Sequence, residues 1–557
     1  MPEAITENIA LWTSALLTRS TAGRGSNSKL EAYGIKKLRE LILELAVRGK
    51  LLPQDPNDEP ASELLKRMEA EKAKLIAEGK IRKGKPLPSI IEDEKLFELP
   101  HGWEWVRLGT LGEWGAGATP ARSNSKYYGG DIPWFKSGEL SADYISQSEE
   151  TVTELALKEC SLRANSVGDV LIAMYGATIG KTAILSVPAT TNQAVCACTP
   201  FNGIANRYLL LLLKALKPNF IGQGAGGAQP NISREKIIAT ITALPPLDEQ
   251  HRIVAKVDEL MALCDQLEQQ QTYSIEAHQT LVSSLLGTLT RVESQQEFSA
   301  AWARIASHFD TLFTTDASID QLKQAILQLA VMGKLVPQDS NDEPASVLLK
   351  RIAAERTRLI EDGEARQKKV LPDIGEDEIP YMLPKGWEWV RLGQIISISS
   401  GDGLTSANMK SDGGIPVYGG NGINGYHDKA NITKPTLVIG RVGYYCGSIH
   451  ITPESAWVTD NAFVTTFSEE NIYLGFLYWL LRGTNLKENE NATAQPVISG
   501  RKVYPLVVGL PPKNEQHRIV AKVDELMSLC DTLKARLADA QTTQLHLANA
   551  IVEQAVC

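Results

Sequence analysis

LPPLDEQHRIVAKVDELMALCD (residues 244–265) and LPPKNEQHRIVAKVDELMSLCD (residues 510–531) are one stretch written twice, identical at 19 of 22 positions. Each copy has a Pro-Pro stop, then Asp248 or Asn514 where an N-cap belongs, then a helical pattern. In the second copy Ile519, Val523, Leu526, Cys530, Leu533, Leu537, Ala540, Leu547 and Ile551 follow alternating steps of four and three, broken at Gln544. The first copy matches with Ile253, Val257, Leu260, Cys264 and Leu267, then weakens at Gln271, Ser274 and His278. An apolar seam of this kind needs another helix to cover it, and the other copy is the obvious candidate.

The repeat extends outward from these helices. Leu38–Ile76 aligns without a gap to Leu322–Ile360, with 26 of 39 positions identical. Each block leads through a charged, Pro-containing linker to LPHGWEWVRLG (99–109) or LPKGWEWVRLG (383–393). The offset between copies is wider at this block (Leu38 to Leu322) than at the EQHR helices (Leu244 to Leu510), so the second of the two intervening cores is the shorter. Short β-rich runs (Asp169–Ala173, Thr436–Ile439, Ala462–Phe467) and Gly-rich turns mark both cores, with one helix each near 206–216 and 472–481. Faint matches persist inside: IPWF with IPVY, TTNQAV with TDNAFV, and GAQPNIS with TAQPVIS.

The expected fold class is α/β (α+β). Two globular cores are joined by long paired helices, an antiparallel coiled-coil spacer, with an internal two-fold pseudo-repeat. The segments are a flexible arm (1–28), a helical region and linker (29–98), a first core (99–243), a central helical region and linker (244–382), a second core (383–509) and a C-terminal helix (510–557). Helices preserved beside diverged cores imply a scaffold that must match and two heads that must differ.

A formal net charge of −9 taken alone argues against nucleic acid. Its distribution changes that reading. Residues 100–243 hold 12 Lys/Arg against 11 Asp/Glu, and residues 384–509 hold 10 against 10, so the excess acid sits in the helical segments. Seven scattered cysteines without a CxxC pair favour reduced thiols, and no run is long enough to span a bilayer. A soluble cytoplasmic protein without membrane partners is expected.

The search for catalytic chemistry returns negatives. GATIGKT (176–182) has three residues between its glycines where a P-loop has four, and reads as a structural turn. No Asn/Asp-Pro-Pro-aromatic word or Cys/His cluster is present and no GxGxxG follows a strand, so no metal or cofactor site is expected. His251 and His517 sit beside the helix start and read as capping or interface residues. The acidic runs at 92–95 and 376–378 read as solvated linker, and the paired tryptophans 103/105 and 387/389 as core anchors.

What remains is a binding protein with two non-identical heads. The first core offers Tyr127, Tyr128, Lys136, Ser137, Tyr175, Lys181, Asn192, Gln193, Gln223, Gln229 and Asn231 to bases and backbone. The second offers Tyr418, Asn421, Asn424, Arg441, Tyr444, Tyr445, Asn461, Gln495, Arg501 and Lys502. Arg pairs with guanine and Asn/Gln with adenine, while Lys, Ser and backbone amides hold phosphates. Asn192 with Asn461 and Gln229 with Gln495 recur in both halves and so read as braces of a shared fold. Residues unique to one core, such as Lys181 and Arg441, are better contact candidates.

The chain resembles the specificity (S) subunit of Type I restriction-modification enzymes along almost its whole length. The resemblance rests on GWEWVRLG, GDVLIAMYGATIGKTAI (168–184), QPNIS/QPVIS and the duplicated LPP…EQHRIVAKVDEL, in that order. The helical block before each core is similar to the branch with an extended N-terminal region. The resemblance implies two target-recognition domains, each binding half of a bipartite double-stranded DNA site. The paired helices would set the gap and dock two modification subunits, forming a methyltransferase to which two restriction subunits add. S-adenosylmethionine would sit in the modification subunit, ATP and Mg2+ in the restriction subunit, and this chain would be non-catalytic. Self-contained nuclease or methyltransferase activity and a protein-only scaffold are the other classes. A 33-residue seam spans about 50 Å, which accommodates half-sites about 34 Å apart.

Overall fold

The structure, a computed structural model, describes residues 3–20, 28–224, 231–292, 295–364, 370–443, 446–484, 486 and 497–556. The chain forms two compact units, residues 1–273 with 540–557 and residues 274–539.

In unit 1, α1 (Tyr33–Val47) and α2 (Ala61–Ala77) lead through the linker to β1 (Glu104–Arg107) and β2 (Gly112–Ala116). Then come β3 (Tyr128–Phe135), β4 (Tyr144–Ile145), β5 (Thr151–Val152), β6 (Val170–Ala173), β7 (Thr182–Leu185), β8 (Thr190–Thr191) and β9 (Val195–Pro200). α3 (Asn206–Ala215), β10 (Ile241–Leu244) and the first part of the long helix α4 (Leu247–Arg291) complete the order. The sheets run β2-β9-β6-β7-β4, β8-β3-β5 and β10-β1.

Unit 2 repeats this plan with α5 (Asp316–Val331), α6 (Ala345–Glu361), β11 (Glu388–Arg391), β12 (Ile396–Ser400), β13 (Ile415–Gly419) and β14 (Gly422–His427). β15 (Leu437–Gly440), β16 (Ile449–Ile451), β17 (Trp457–Val458), β18 (Ala462–Phe467), α7 (Leu474–Gly483), β19 (Val507–Leu510) and α8 (Lys513–Val556) follow. Its sheets run β12-β18-β15-β16, β14-β13-β17 and β11-β19. The mixed α/β class and the internal repeat expected from sequence are both present. Among the described residues, no helix is long and apolar enough to cross a membrane.

Matching backbone hydrogen bonds fix which residues of the two units correspond. Asn192 N–H donates to Phe135 O as Thr459 N–H does to Tyr418 O, and Met174 N–H donates to Ala194 O as Arg441 N–H does to Asn461 O. Thus Phe135 corresponds to Tyr418, Met174 to Arg441, Ala194 to Asn461 and Asn192 to Thr459. The apparent recurrence of Asn192 as Asn461 is therefore a slip in register and not an equivalence. The stretch from Phe135 to Ala173 is much longer than the matching one from Tyr418 to Gly440. Most of the extra length of the first core thus enters at one connection, which carries β4 and β5.

The repeated words exist because the same contacts recur. Buried Glu249 accepts from Trp103 Nε1 (2.9 Å) and Gln54 Nε2 (3.4 Å), and buried Glu515 from Trp387 Nε1 (3.0 Å) and Gln338 Nε2 (3.1 Å). Gln250 and Gln516 accept the amides of Ala205 and Tyr473, while Arg252 and Arg518 pair with Asp58 and Asp342. Trp103 and Trp387 are core anchors, as expected; Trp105 packs at the margin of its core. The His517 ring lies 4.0 Å from that of Tyr473.

Three expectations need correction. The acidic linker runs are not merely solvated: buried Arg107 donates to Glu94 and to Pro88 O and Ser89 O, and buried Arg391 to Glu378, Pro372 O and Asp373 O. A buried guanidinium requires acceptors for its donors, and the linker supplies most of them, with Ala239 O and Pro505 O completing the sets. Residues 1–28 are not simply an arm, because Ile5, Trp12 and Ala15 are buried and Gly34 N–H donates to Ala15 O (2.9 Å). Asp248 and Asn514 lie inside the first helical turn; Pro246 and Pro512 carbonyls accept from Gln250 and Gln516 (2.9 and 3.0 Å).

The seam residues are interior. Ile253, Val257, Leu260 and Cys264 are buried and Leu267 is partly so, in a core that includes Leu38, Leu41 and Ala548, with Ile551 and Val552 packed against it. Ile519, Val523 and Cys530 are buried, and Leu526, Leu533 and Leu537 line the equivalent core with Val282, Leu286 and Leu289. The helical block therefore shares in covering the seam. Arg39 of α1 pairs with Asp265 (2.6 Å) and Glu268 (2.7 Å), and Lys534 of α8 with Asp320 of α5 (2.6 Å). Each long helix gives its first part to one unit and its remainder to the other.

Candidate nucleic-acid interface

In unit 1, strands ending together bring four loops to one edge. β8 runs parallel to the end of β3, so Asn192 N–H reaches Phe135 O (3.0 Å). β9 pairs with β6, so Met174 N–H reaches Ala194 O (2.8 Å), and Ile232 N–H reaches Met174 O (2.9 Å). Residues 136–139, 174–181, 192–194 and 231–232 thus meet there.

Of the candidates, Lys136, Ser137, Tyr175, Lys181, Asn192, Gln193 and Asn231 lie in these loops. Tyr175 forms an isolated backbone bridge with Asn231, and it is 43% exposed. Lys181 Nζ lies 3.5 Å from Gly138 O. Asn192 Oδ1 accepts from Ala194 N–H (3.1 Å), a turn brace, and Gln193 Oε1 accepts from Thr119. The GATIGKT stretch is the β6–β7 turn, closed by Gly180 at φ +76°, where a Cβ would also strike Lys217.

Two candidates stand apart. Tyr127 precedes β3 at the end remote from Lys136 and donates to Glu159 (3.0 Å). Gln223 closes a short helix, its amide on Asn219 and its carbonyl accepting from Lys236 (2.8 Å). Gln229 lies outside the described residues.

Unit 2 forms the matching edge from residues 420–421, 441–443, 460–461 and 497–502. Gly447 (φ +82°) closes the turn that Gly180 closes in unit 1. Arg441 Nη1 donates to Ser400 Oγ and Asp460 O (both 3.3 Å), its guanidinium 5.4 Å from the Phe463 ring. Ile498 N–H donates to Arg441 O (2.9 Å), which brings the turn holding Arg501 and Lys502 alongside. Neither of those cations has a side-chain partner among the described residues. Asn421 and Asn461 are exposed, and Asn424 folds over Gly419. Tyr418 is buried against Val438, Val458 and Ala462, which withdraws it from any surface role. Tyr444, Tyr445 and Gln495 lie outside the described residues.

Sequence reading missed Arg122, Glu149 and Glu150. Lys136 Nζ lies 2.9 Å from Glu150 and 3.0 Å from Glu149, and Arg122 also pairs with Glu150. The Arg122 guanidinium sits 4.7 Å from the Tyr128 ring and 5.2 Å from that of Trp134. Hydrogen bonds from Arg122 and then Lys136 push the Glu150 carboxyl down to about 2. The β3–β5 pairing brings Glu149 and Glu150 beside Lys136; for these two the sequence signal was their place in a stretch without a counterpart in the second core, and Arg122, which precedes β3, had none.

The edges differ where they correspond. Lys181 is matched by Ser448, Met174 by Arg441, and Lys136 by Gly419. Among the described residues, no group of three or more His, Cys, Asp or Glu side chains could hold a metal ion.

Residues 100–277 and 384–540 match the family model described as the Type I restriction modification DNA specificity domain. The chain is 40% identical to the Type I restriction enzyme EcoAI specificity subunit of Escherichia coli, over 99% of both chains. It is 38% identical to the EcoEI specificity subunit of Escherichia coli, again over 99% of each. A crystal structure of the HsdS subunit from Thermoanaerobacter tengcongensis aligns over 83% of this chain and 98% of its own, at 18% identity and a TM-score of 0.43.

Proposed function

Since the chain belongs to the Type I restriction-modification DNA specificity family, we propose that each of its units reads one half of a bipartite, asymmetric DNA site. As a specificity subunit it selects the sequence on which a Type I enzyme acts. The observation that carries the two-headed reading is the contrast between scaffold and edge. Trp–Glu–Gln, Arg–Asp and Arg–linker contacts repeat in both units, whereas the matched edge positions carry different side chains. Two heads held alike and furnished differently suit two unlike half-sites.

The long helices set the gap between half-sites and dock two modification subunits on the one specificity chain; two restriction subunits complete the enzyme. S-adenosylmethionine belongs to the modification subunit, and ATP and Mg2+ to the restriction subunit. This chain contributes recognition and no catalysis. Gly loops and Lys181, Arg501 and Lys502 hold phosphates, while Arg441, Asn421 and Tyr175 face base edges.

Genome-wide adenine methylation, in a host expressing the chain with its modification subunit, tests the reading. A split asymmetric motif of fixed gap that disappears on deletion of this chain is expected. Methylation unchanged by the deletion, with no second system writing that motif, overturns it in favour of a protein-only scaffold.

A further inference from the structure

The first edge presents a paradox for a DNA-reading surface. Its loops carry Lys136 and Lys181, and Arg122 lies close by, yet Glu139, Glu149 and Glu150 crowd the same place. Glu139 has a structural role, since its carboxylate accepts from Lys136 N–H (2.6 Å) and Glu149 N–H (2.7 Å) and ties the 136–139 turn to the strand opposite. Glu150 has none of this kind. Its carboxylate is taken up by the side chains of Arg122 and Lys136, and Lys136 reaches Glu149 as well.

The geometry is that of a phosphate held between a guanidinium and an ammonium. Arg122 is steered further by Tyr128 and Trp134, whose rings it overlies, so it stands in a defined place with or without an anion. All four charged residues are half-exposed or exposed, so exchange of the carboxylate for another anion costs little desolvation. Among its described residues the second unit lacks the arrangement. Gly419 replaces Lys136, and the connection that carries Glu149 and Glu150 is the one shortened there.

We propose that Glu150 is a specificity-determining residue that acts as an internal stand-in for a DNA phosphate, holding Arg122 and Lys136 until a duplex seated on this edge displaces it. Random DNA must compete with the carboxylate and gains little from these two cations. A duplex whose bases also match the edge is held long enough for both to transfer. The carboxylate thus subtracts from non-specific affinity and leaves the specific complex nearly whole. The proposal rests on the assignment of this edge to DNA.

The test uses the chain assembled with its modification subunits, a random duplex, and a duplex carrying the motif found by methylation mapping. Glu150→Gln is expected to tighten random-duplex binding several-fold and to steepen the log–log salt dependence by about 1, the value of one further phosphate contact. The specific-to-random affinity ratio falls, and adding Lys136→Gln to Glu150→Gln reverses the gain. Lys181→Ala, which touches neither carboxylate, is expected to weaken both duplexes. If Lys181→Ala weakens binding while Glu150→Gln leaves the random duplex unchanged or weaker, the edge binds DNA and the stand-in role is refuted. If neither substitution changes duplex binding, the assignment of the edge to DNA fails and the proposal with it.

Discussion

The buried Trp103–Glu249 pair permits a quantitative prediction. Trp103 Nε1 donates to Glu249 Oε2 at 2.9 Å, and a second, weaker donor, Gln54, reaches the other oxygen at 3.4 Å. Burial raises the Glu249 pKa above 4.5, with Trp103, Gln54 and Arg252 pulling it back. A hydrogen bond to a buried charge contributes about 1.5–3 kcal/mol. Trp103→Phe should therefore destabilise unit 1 by at least about 2 kcal/mol, because it also leaves the carboxylate short of a donor. Glu249→Gln keeps an acceptor for the indole and removes the desolvated charge, so it should cost less at neutral pH. The coupling energy from the double-mutant cycle, measured by urea unfolding, should be about 1.5–3 kcal/mol at pH 7. A raised carboxyl pKa means the folded state holds the proton more tightly. Its stabilising effect is full below pH 4.5 and fades as pH rises through the elevated folded value. Coupling should accordingly shrink on acidification as the carboxyl protonates, and Glu249→Gln should remove that pH dependence. Trp387 and Glu515, with the same contacts and the same direction of shift, provide an independent repeat. A coupling below about 0.5 kcal/mol at pH 7, the limit for independent sites, or one indifferent to pH, refutes the reasoning.

Arg391→Met should free the linker at 363–382, read as faster tryptic cleavage there, whereas Glu378→Gln, which leaves Arg391 its carbonyl acceptors, should change cleavage less. Glu378 is held down to about 2 by Arg391, so the pairing should persist on acidification until the pH falls toward that value. Arg441→Ala should relax sequence preference at one position of a half-site by about 1–3 kcal/mol, seen in a binding-site selection. Insertion of four residues, about one turn or 6 Å, into α4 or α8 should lengthen the gap in the methylated motif; an unchanged gap rejects the spacer role.

How much was legible in the sequence follows from whether a contact recurs in both units, not from its distance along the chain. The duplicated helices, GWEWVRLG and NDEPAS were readable because their contacts recur in both units and so constrain the same residue types twice. Glu249 with Trp103 and Arg252 with Asp58 lie far apart in sequence, yet each partner sits in a repeated word. The edges offered no such redundancy. Lys181 meets Gly138 and Arg122 meets Glu150 across long stretches of intervening chain. No periodicity links either pair, since both depend on strand order. The Asn192/Asn461 match misled because two short loops each carry an asparagine, out of structural register with one another. The acidic linkers misled because charge beside proline reads as solvated until Arg107 and Arg391 are seen to be buried beneath them.

The division of the long helices between units bears on how the chain is made. Unit 1 takes in residues 1–273 and then 540–557, among them Ala548, which is buried in the same core as Leu260 and Cys264. A ribosome adding roughly 5–20 residues per second needs tens of seconds to pass from Tyr273 to the last turn of α8. Throughout that interval the nascent first unit waits with an apolar stripe on α4 uncovered at its far end. The core of the first unit is thus completed only when synthesis reaches the last turns of α8, long after the rest of that unit has been made.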